Sequence, residues 1–294
     1  NNTVLAARDR FGKKTFYYFH SQKLFAFASE LTALLQLPEI EKKINYSALK
    51  QYLFFEYVPA PLSIIENIYK LPAGYYLKFE NNKLTIEKYW DVSLKSIKIS
   101  EADAEIELIR LLKKSLEYRL ISDVPLGIFL SGGIDSSSIV ALLSELRAAK
   151  TIKTFSIGFS EKTFDESSFA KQVATFFGTD HYEEKLEPQI MIDIIPEIFN
   201  RLDEPLADPS IIPTYLLSKF TRRYVTVALG GDGGDELFAG YDPFAAHQII
   251  RNFRLPAIIA DTFLNLAHLL LPVSDVNMSF DFKIKRSLSG IKYP

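Results

Sequence analysis

Residues 126–140 read Leu-Gly-Ile-Phe-Leu-Ser-Gly-Gly-Ile-Asp-Ser-Ser-Ser-Ile-Val, and no other string restricts the fold as much. The apolar run over 126–130, with one glycine, predicts a buried parallel strand. Ile139, Val140, Leu142, Leu143 and Leu146 then recur at helical spacing. Between strand and helix lies the turn Ser131-Gly132-Gly133-Ile134-Asp135-Ser136. Two adjacent glycines permit backbone angles that a Cβ forbids and let a ligand touch the main chain. The helix begins there, so its free N–H groups and its dipole face any phosphate placed in the turn. Ser131, Ser136 and Ser137 add hydroxyls, and Asp135 offers a carboxylate to Mg2+, which takes oxygen ligands shared with phosphates. The plain alternative is a glycine turn capped by Ser or Asp. Strand, loop and helix together favour phosphate binding, because each residue matches one task in it.

The loop lacks the Gly-Lys-Ser/Thr of a Walker loop and the spacing of a GxGxxG dinucleotide fingerprint. It resembles the pyrophosphate-binding loop of the ATP pyrophosphatases. That resemblance implies cleavage of ATP between its α and β phosphates, leaving AMP on a substrate carboxyl or carbonyl.

With 294 residues the chain exceeds what one core usually organises, so two domains are expected. A net charge of −2 supplies no basic field for nucleic acid or anionic membrane, and neither is expected as a partner. Cysteine is absent, which excludes disulfides, thiolate zinc sites and a cysteine nucleophile within these residues. His20, His181, His247 and His268 show no metal-ligand spacing. The first residues lack a basic stretch followed by an apolar core, so no secretory signal is predicted. The stretch 255–273 is interrupted by Pro256, Asp261, Asn265 and His268, which predicts an amphipathic or core helix rather than a membrane span. A cytoplasmic protein is the expectation.

Along the chain, β-rich runs at 3–7, 15–19 and 24–28 precede helices at 29–35 and 47–57, the second closed by Pro59 and Pro61. Runs at 75–79 and 84–89 flank Asn81-Asn82, a hairpin signal because Asn tolerates positive φ. Residues 1–95 therefore read as part of a β-rich domain that opens abruptly on a strand. A polar connector over 91–99 leads to a second domain, 100–294. Ser100 to Asp103 has capping-box spacing, and Ile106, Ile109, Leu112, Leu116 and Leu120 share one helix face. Strands at 154–159, 181–185 and 225–229 then alternate with helices at 136–148, 166–177, 190–199 and 213–222. That alternation predicts an α/β domain with a doubly wound parallel sheet and ligands at the carboxyl ends of its strands.

The last of these strands runs into Gly230-Gly-Asp-Gly-Gly-Asp-Glu-Leu-Phe-Ala-Gly-Tyr241. Four glycines bracket Asp232, and Asp235 with Glu236 follow, more than a structural turn needs. Two such loops at strand ends suggest one triphosphate between them. Asp135 and Asp235 would then hold Mg2+ on the departing pyrophosphate, with Asp232 near the acyl phosphate.

At this point the resemblance narrows. The SGGIDSS loop, Thr154-Phe-Ser-Ile-Gly-Phe159, Gly178-Thr-Asp-His181, Asp203-Glu-Pro-Leu-Ala-Asp-Pro-Ser210 and GGDGGDELFAGY occur in the order found in glutamine-hydrolysing asparagine synthetases. Ala7-Arg-Asp-Arg-Phe-Gly-Lys-Lys14, Phe27-Ala-Ser-Glu-Leu31 and Leu71-Pro-Ala-Gly-Tyr75 resemble the later half of that family's N-terminal-nucleophile glutaminase domain. The resemblance covers nearly the whole chain. It implies an ATP pyrophosphatase domain of the adenine nucleotide alpha hydrolase kind, preceded by part of a class II amidotransferase domain. It implies ATP contacts at Phe129, Leu130, Ser131, Gly132, Gly133, Asp135, Ser136, Ile157, Gly230 and Gly231, and Mg2+ on Asp135 and Asp235. Asp232 matches an acidic position, often Glu, linked to forming β-aspartyl-AMP. Asp9 matches a carboxylate that grips the α-amino group of glutamine, although a surface ion pair with the neighbouring lysines is an equal reading.

Departures accompany the likeness. The family's N-terminal cysteine and the first half of its glutaminase domain are absent, as is its downstream lysine-bearing segment. Gly230 stands where Ser is usual. The economical expectation is the middle of a longer protein or a shortened relative. Asp203, Glu204, Asp208 and Ser210 are acceptor-pocket candidates, with loop and helix-cap chemistry as the alternative. His181 reads first as a satisfied structural histidine. The implied substrates are aspartate, ATP and glutamine or ammonia, and a homodimer is possible within the family. The rivals are a relative amidating another carboxylate on a sugar or antibiotic precursor, an RNA-modifying ATP pyrophosphatase, and a non-catalytic remnant. The RNA reading predicts a basic surface and reactive cysteines, which the composition lacks.

Overall fold

The computed structural model describes residues 3–146, 151–161 and 165–241, together with 243, 244, 248 and 266. Its contacts divide into two compact units, Asn1–Ser100 with Met191–Tyr215, and Glu101–Ile190 with Leu216–Pro294.

The first unit begins with β1 (Thr3–Ala7), β2 (Tyr17–His20), β3 (Phe25–Ala28), α1 (Leu31–Leu34) and α2 (Tyr46–Phe55). It continues through β4 (Ile68–Lys70), β5 (Tyr75–Glu80) and β6 (Lys83–Lys88). Two antiparallel sheets result, ordered β1-β5-β6 and β3-β2-β4. The β5–β6 hairpin turns on Asn81 and Asn82 at φ 50° and 59°, as their tolerance of the left-handed region predicts. Strand β2 is buried on both faces because its period of two divides its aromatics. Tyr17 and Phe19 join Leu31, Leu34, Ile40 and Ile68, while Tyr18 joins Leu71 and Leu77. Helix α2 is capped by Asn45, whose side chain accepts from the N–H groups of Ser47 and Ala48. It stops at Phe55, earlier than Pro59 implies, because Glu56 enters the left-handed region at φ 67°.

The second unit opens with α3 (Glu101–Arg119), β7 (Leu126–Phe129), α4 (Ile134–Leu146), β8 (Lys153–Phe159), α5 (Ser167–Phe177) and β9 (Asp180–Leu186). Helices α6 (Pro188–Asp193), α7 (Ile195–Phe199) and α8 (Ile211–Thr221) follow, then β10 (Val227–Leu229) and α9 (Gly234–Phe238). The four strands are parallel in the order β10-β7-β8-β9. Alternation along β7 sends Ile128 into a core with Leu116 of α3, Val140 and Leu143 of α4 and Ala170 and Ala174 of α5. Phe129 goes to the opposite face, beside Phe155 of β8, Phe220 of α8 and Val225. Helices therefore cover both faces, and the expected doubly wound α/β sheet is what forms.

Strand order also locates the crevice. The chain steps from β7 outward to β8 and β9, then returns with β10 on the other flank of β7. The loops after β7 and β10 thus diverge at a topological switch point, where open α/β sheets bind ligands.

The structure departs from the sequence reading in the helix expected over 190–199. It divides at Ile194 into α6 and α7, because Pro196 has no N–H to donate and its ring crowds the carbonyl four residues back. The three-residue strand β4 and the five-residue α9 are too short to register as periodic patterns. The stretch 255–273, His247 and His268 lie outside the described residues, apart from position 266.

Candidate functional site: two glycine loops at a switch point

The first loop is held by its own serines. The Ser136 hydroxyl, buried at the start of α4, lies 3.0 Å from the Ser131 hydroxyl, 3.3 Å from the Ser131 N–H and 3.3 Å from the Gly133 carbonyl. The Gly133 N–H donates to Ser131 Oγ at 3.2 Å. Gly132 sits at φ 86°, and a Cβ there would come within 2.5 Å of the Phe169 carbonyl carbon. The turn therefore lies flat on the start of α5, which only glycine permits. Phe129 and Leu130 close β7, and the Leu130 N–H still donates to Phe155. Ile157 lies two residues past that point on β8, at the carboxyl end of the sheet.

The second loop meets the first. A Cβ on Gly231 would stand 3.0 Å from Asp135 Cβ and 3.1 Å from the Ser136 nitrogen. One on Gly234 would overlap the Asp135 carboxylate, approaching Oδ1 to 2.7 Å. Backbone of one loop is thus packed on the acid of the other, and glycine makes the approach possible. Gly230 gives way to Asp232, whose Oδ2 would lie 2.7 Å from a Cβ at that position. The Asp235 side chain folds over Gly240. Tyr241 donates to Glu236 at 2.8 Å, and that bond, with burial and the charges of Glu236, Asp235 and Asp232, pushes the phenol up to about 12.

The remaining candidates lie elsewhere. Asp9 belongs to the first unit, where its carboxylate accepts N–H groups from Phe11 and Lys13 at 3.1 Å and from Lys14 at 3.3 Å. Desolvation opposes ionisation, but these backbone bonds outweigh it and hold the carboxyl below its usual range. The basic pair thus serves Asp9 through its main chain. Asp203 and Glu204 also belong to the first unit. Asp203 caps α1 through the N–H groups of Leu31 at 2.8 Å and Thr32 at 3.1 Å. Glu204 forms a buried ion pair with Lys70, accepts the Ile64 N–H at 2.7 Å and takes the Tyr17 hydroxyl at 3.2 Å. Their acceptor capacity is spent on protein donors, so the cap-and-loop alternative corrects the pocket reading for these two. Asp208 accepts the Ser210 N–H at 2.9 Å ahead of α8, and both stay exposed. His181 faces Thr154 at 2.9 Å and Ser156 at 3.3 Å, inside the sheet. Its ring nitrogens are occupied, as the structural reading expects.

Sequence reasoning passed over Gly234 and Gly240, which touch the acids it singled out. The available signal was the density of glycine around Asp232 and Asp235.

A model of the asparagine synthase family matches residues 107–286. The chain belongs to the asparagine synthase family. A glutamine amidotransferase domain model matches residues 1–90. A putative asparagine synthetase [glutamine-hydrolyzing] 2 from Methanocaldococcus jannaschii is 40% identical over 242 residues, covering 81% of this chain and 47% of that protein. Asparagine synthetase [glutamine-hydrolyzing] 1 from Bacillus subtilis is 34% identical over 269 residues, covering 91% and 42%. A protein named amidase chry2 from Gibberella zeae is 27% identical over 287 residues, covering 91% and 42%. The chain spans about half the length of the curated relatives it matches. The asparagine synthase match contains both glycine loops and their three aspartates, and the amidotransferase match contains Asp9.

Proposed function

We propose that the protein bearing this chain is an ATP-dependent, AMP-forming carbon–nitrogen ligase that converts aspartate to asparagine through β-aspartyl-AMP, with ammonia drawn from glutamine. The observation that carries this reading is the contact of Gly231 and Gly234 with Asp135 across the switch point. It supports one nucleotide gripped by two loops. In this mechanism a β-carboxylate oxygen of aspartate attacks the α-phosphorus of ATP. The bond from that phosphorus to the α–β bridging oxygen breaks, and pyrophosphate departs. Ammonia then attacks the acyl carbon, AMP leaves with the acyl–oxygen electron pair, and the surplus proton passes to solvent.

The chain's own residues divide this work. The N–H groups of residues 131–136 and the first turn of α4 receive phosphate oxygens and offset their charge. The main chain at Phe129, Leu130, Gly230 and Gly231, with Ile157, takes the rest of the nucleotide. Asp232 stands beside the acyl phosphate. Asp135 and Asp235 are oxygen donors of the kind Mg2+ accepts alongside phosphates, and Asp135 lies at the junction of the loops. The ion would neutralise charge on the leaving pyrophosphate. In the first unit Asp9 orients glutamine, while Asp203 and Glu204 hold the segment that carries Asp208 and Ser210 toward the acceptor.

A second reading, amidation of a different carboxylate, draws support from the amidase-named relative. ATP–pyrophosphate exchange measured with aspartate and a panel of other acids separates the two. Exchange with aspartate alone is the expected result; exchange only with another acid overturns the assignment.

A further inference from the structure

We propose that Gly240 is a positioning residue for Asp235, with Tyr241 as its latch. Helix α9 ends on Ala239 in the left-handed region at φ 56°, which turns the chain back along its own first turn. The Gly240 N–H then donates to the Asp235 carbonyl at 3.0 Å. The Tyr241 hydroxyl closes the loop on Glu236. Residues 235–241 thus form a buckle in which the last two residues hold the first two.

Gly240 admits the Asp235 side chain. A Cβ there would overlap Oδ1 and lie 3.0 Å from Cγ and 3.2 Å from Cα of Asp235. Rotating the carboxylate does not relieve the last contact, because Cα belongs to the main chain. Backbone angle does not explain the glycine either. The positive-φ glycines are Gly12, Gly74, Gly132, Gly178 and Gly233, and Gly240 is not among them. What the position requires is space, and Asp235 fills that space.

The consequence for chemistry rests on the proposed function, in which Asp235 faces the divalent cation on pyrophosphate. The test uses the full-length protein, Mn2+ as a spin probe and α,β-methylene-ATP, which cannot release pyrophosphate. Gly240→Ala is expected to weaken Mn2+ binding to the protein–nucleotide complex on the order of 10-fold, as loss of an orienting neighbour does at metal sites. Tyr241→Phe, which keeps the ring and loses the latch, is expected to weaken it less. The melting temperature gives a readout independent of catalysis and metal. Gly240→Ala lowers it, and Asp235→Ala in the same chain restores it by vacating the crowded space. Should the single variant fail to fold, the double variant still folds. Additive melting losses, or unchanged Mn2+ binding in both single variants, would overturn the inference. Melting rescue in a protein that binds no Mn2+–nucleotide would leave the buckle standing and overturn the functional reading instead.

Discussion

At Gly132 two independent penalties coincide, a left-handed φ and a Cβ contact with the backbone of Phe169 and Ala170. Gly178, the C-cap of α5, carries only the first: its φ is 67° and nothing lies within 4 Å of its Cβ position. Gly178→Ala should therefore cost about 1 kcal/mol of unfolding free energy from backbone conformation alone. Gly132→Ala should cost roughly 2–4 kcal/mol, since strain and overpacking add. Urea denaturation of the two variants checks this, and equal losses would show that the loop does not press on α5. The contrast also shows what is legible in a sequence. A glycine after a helix announces its conformation. A glycine that makes room for a neighbour 37 positions away in sequence does not, because the neighbour is known only once α4 and α5 are packed.

Strands β8 and β9 pair so that Thr154 faces His181, and Ser156 lies within reach of the same imidazole. Burial lowers the His181 pKa, while the Glu183 charge and a backbone bond from Thr154 work weakly against it. The unfolded chain binds this proton more readily than the folded one, so stability rises with pH in that range. The contribution is full above about 6.5, the ordinary histidine value, and is lost as pH falls through the depressed folded value. His181→Asn is expected to flatten the midpoint of urea unfolding between pH 7 and 5, and an unchanged slope would remove the histidine as its source. The element pattern was readable because strand–helix alternation is local. The division of α6 from α7 was equally available in Pro196 and was overridden by the apolar run around it.

Across the whole molecule, the Lys70–Glu204 pair joins positions 134 residues apart and binds Met191–Tyr215 into the first unit. Both side chains are nearly buried, at 8% and 11% exposure, and Lys70 also donates to the Val58 carbonyl. Glu204→Gln or Lys70→Met alone leaves a buried charge uncompensated and should cost about 3–5 kcal/mol. The double variant should recover much of that, and a double-mutant cycle by chemical denaturation measures the coupling. Purely additive losses would mean the charges do not act as a pair. Reading Asp203 and Glu204 as pocket residues was natural from their crowding in a Pro-punctuated loop. Their actual donors come from β2, α1, β4 and Ile64, which no local pattern connects to residue 203 or 204.

The sequence by itself determined the doubly wound sheet, the two glycine loops and the family, because strand–helix periodicity and loop chemistry are written in consecutive residues. Tertiary structure alone decided that β10 returns beside β7, that Asp135 rests on Gly234, and that Asp203 and Glu204 serve the first unit. Those outcomes depend on which buried surfaces and unpaired polar groups find one another across long separations. Only the folded chain brings them within contact distance.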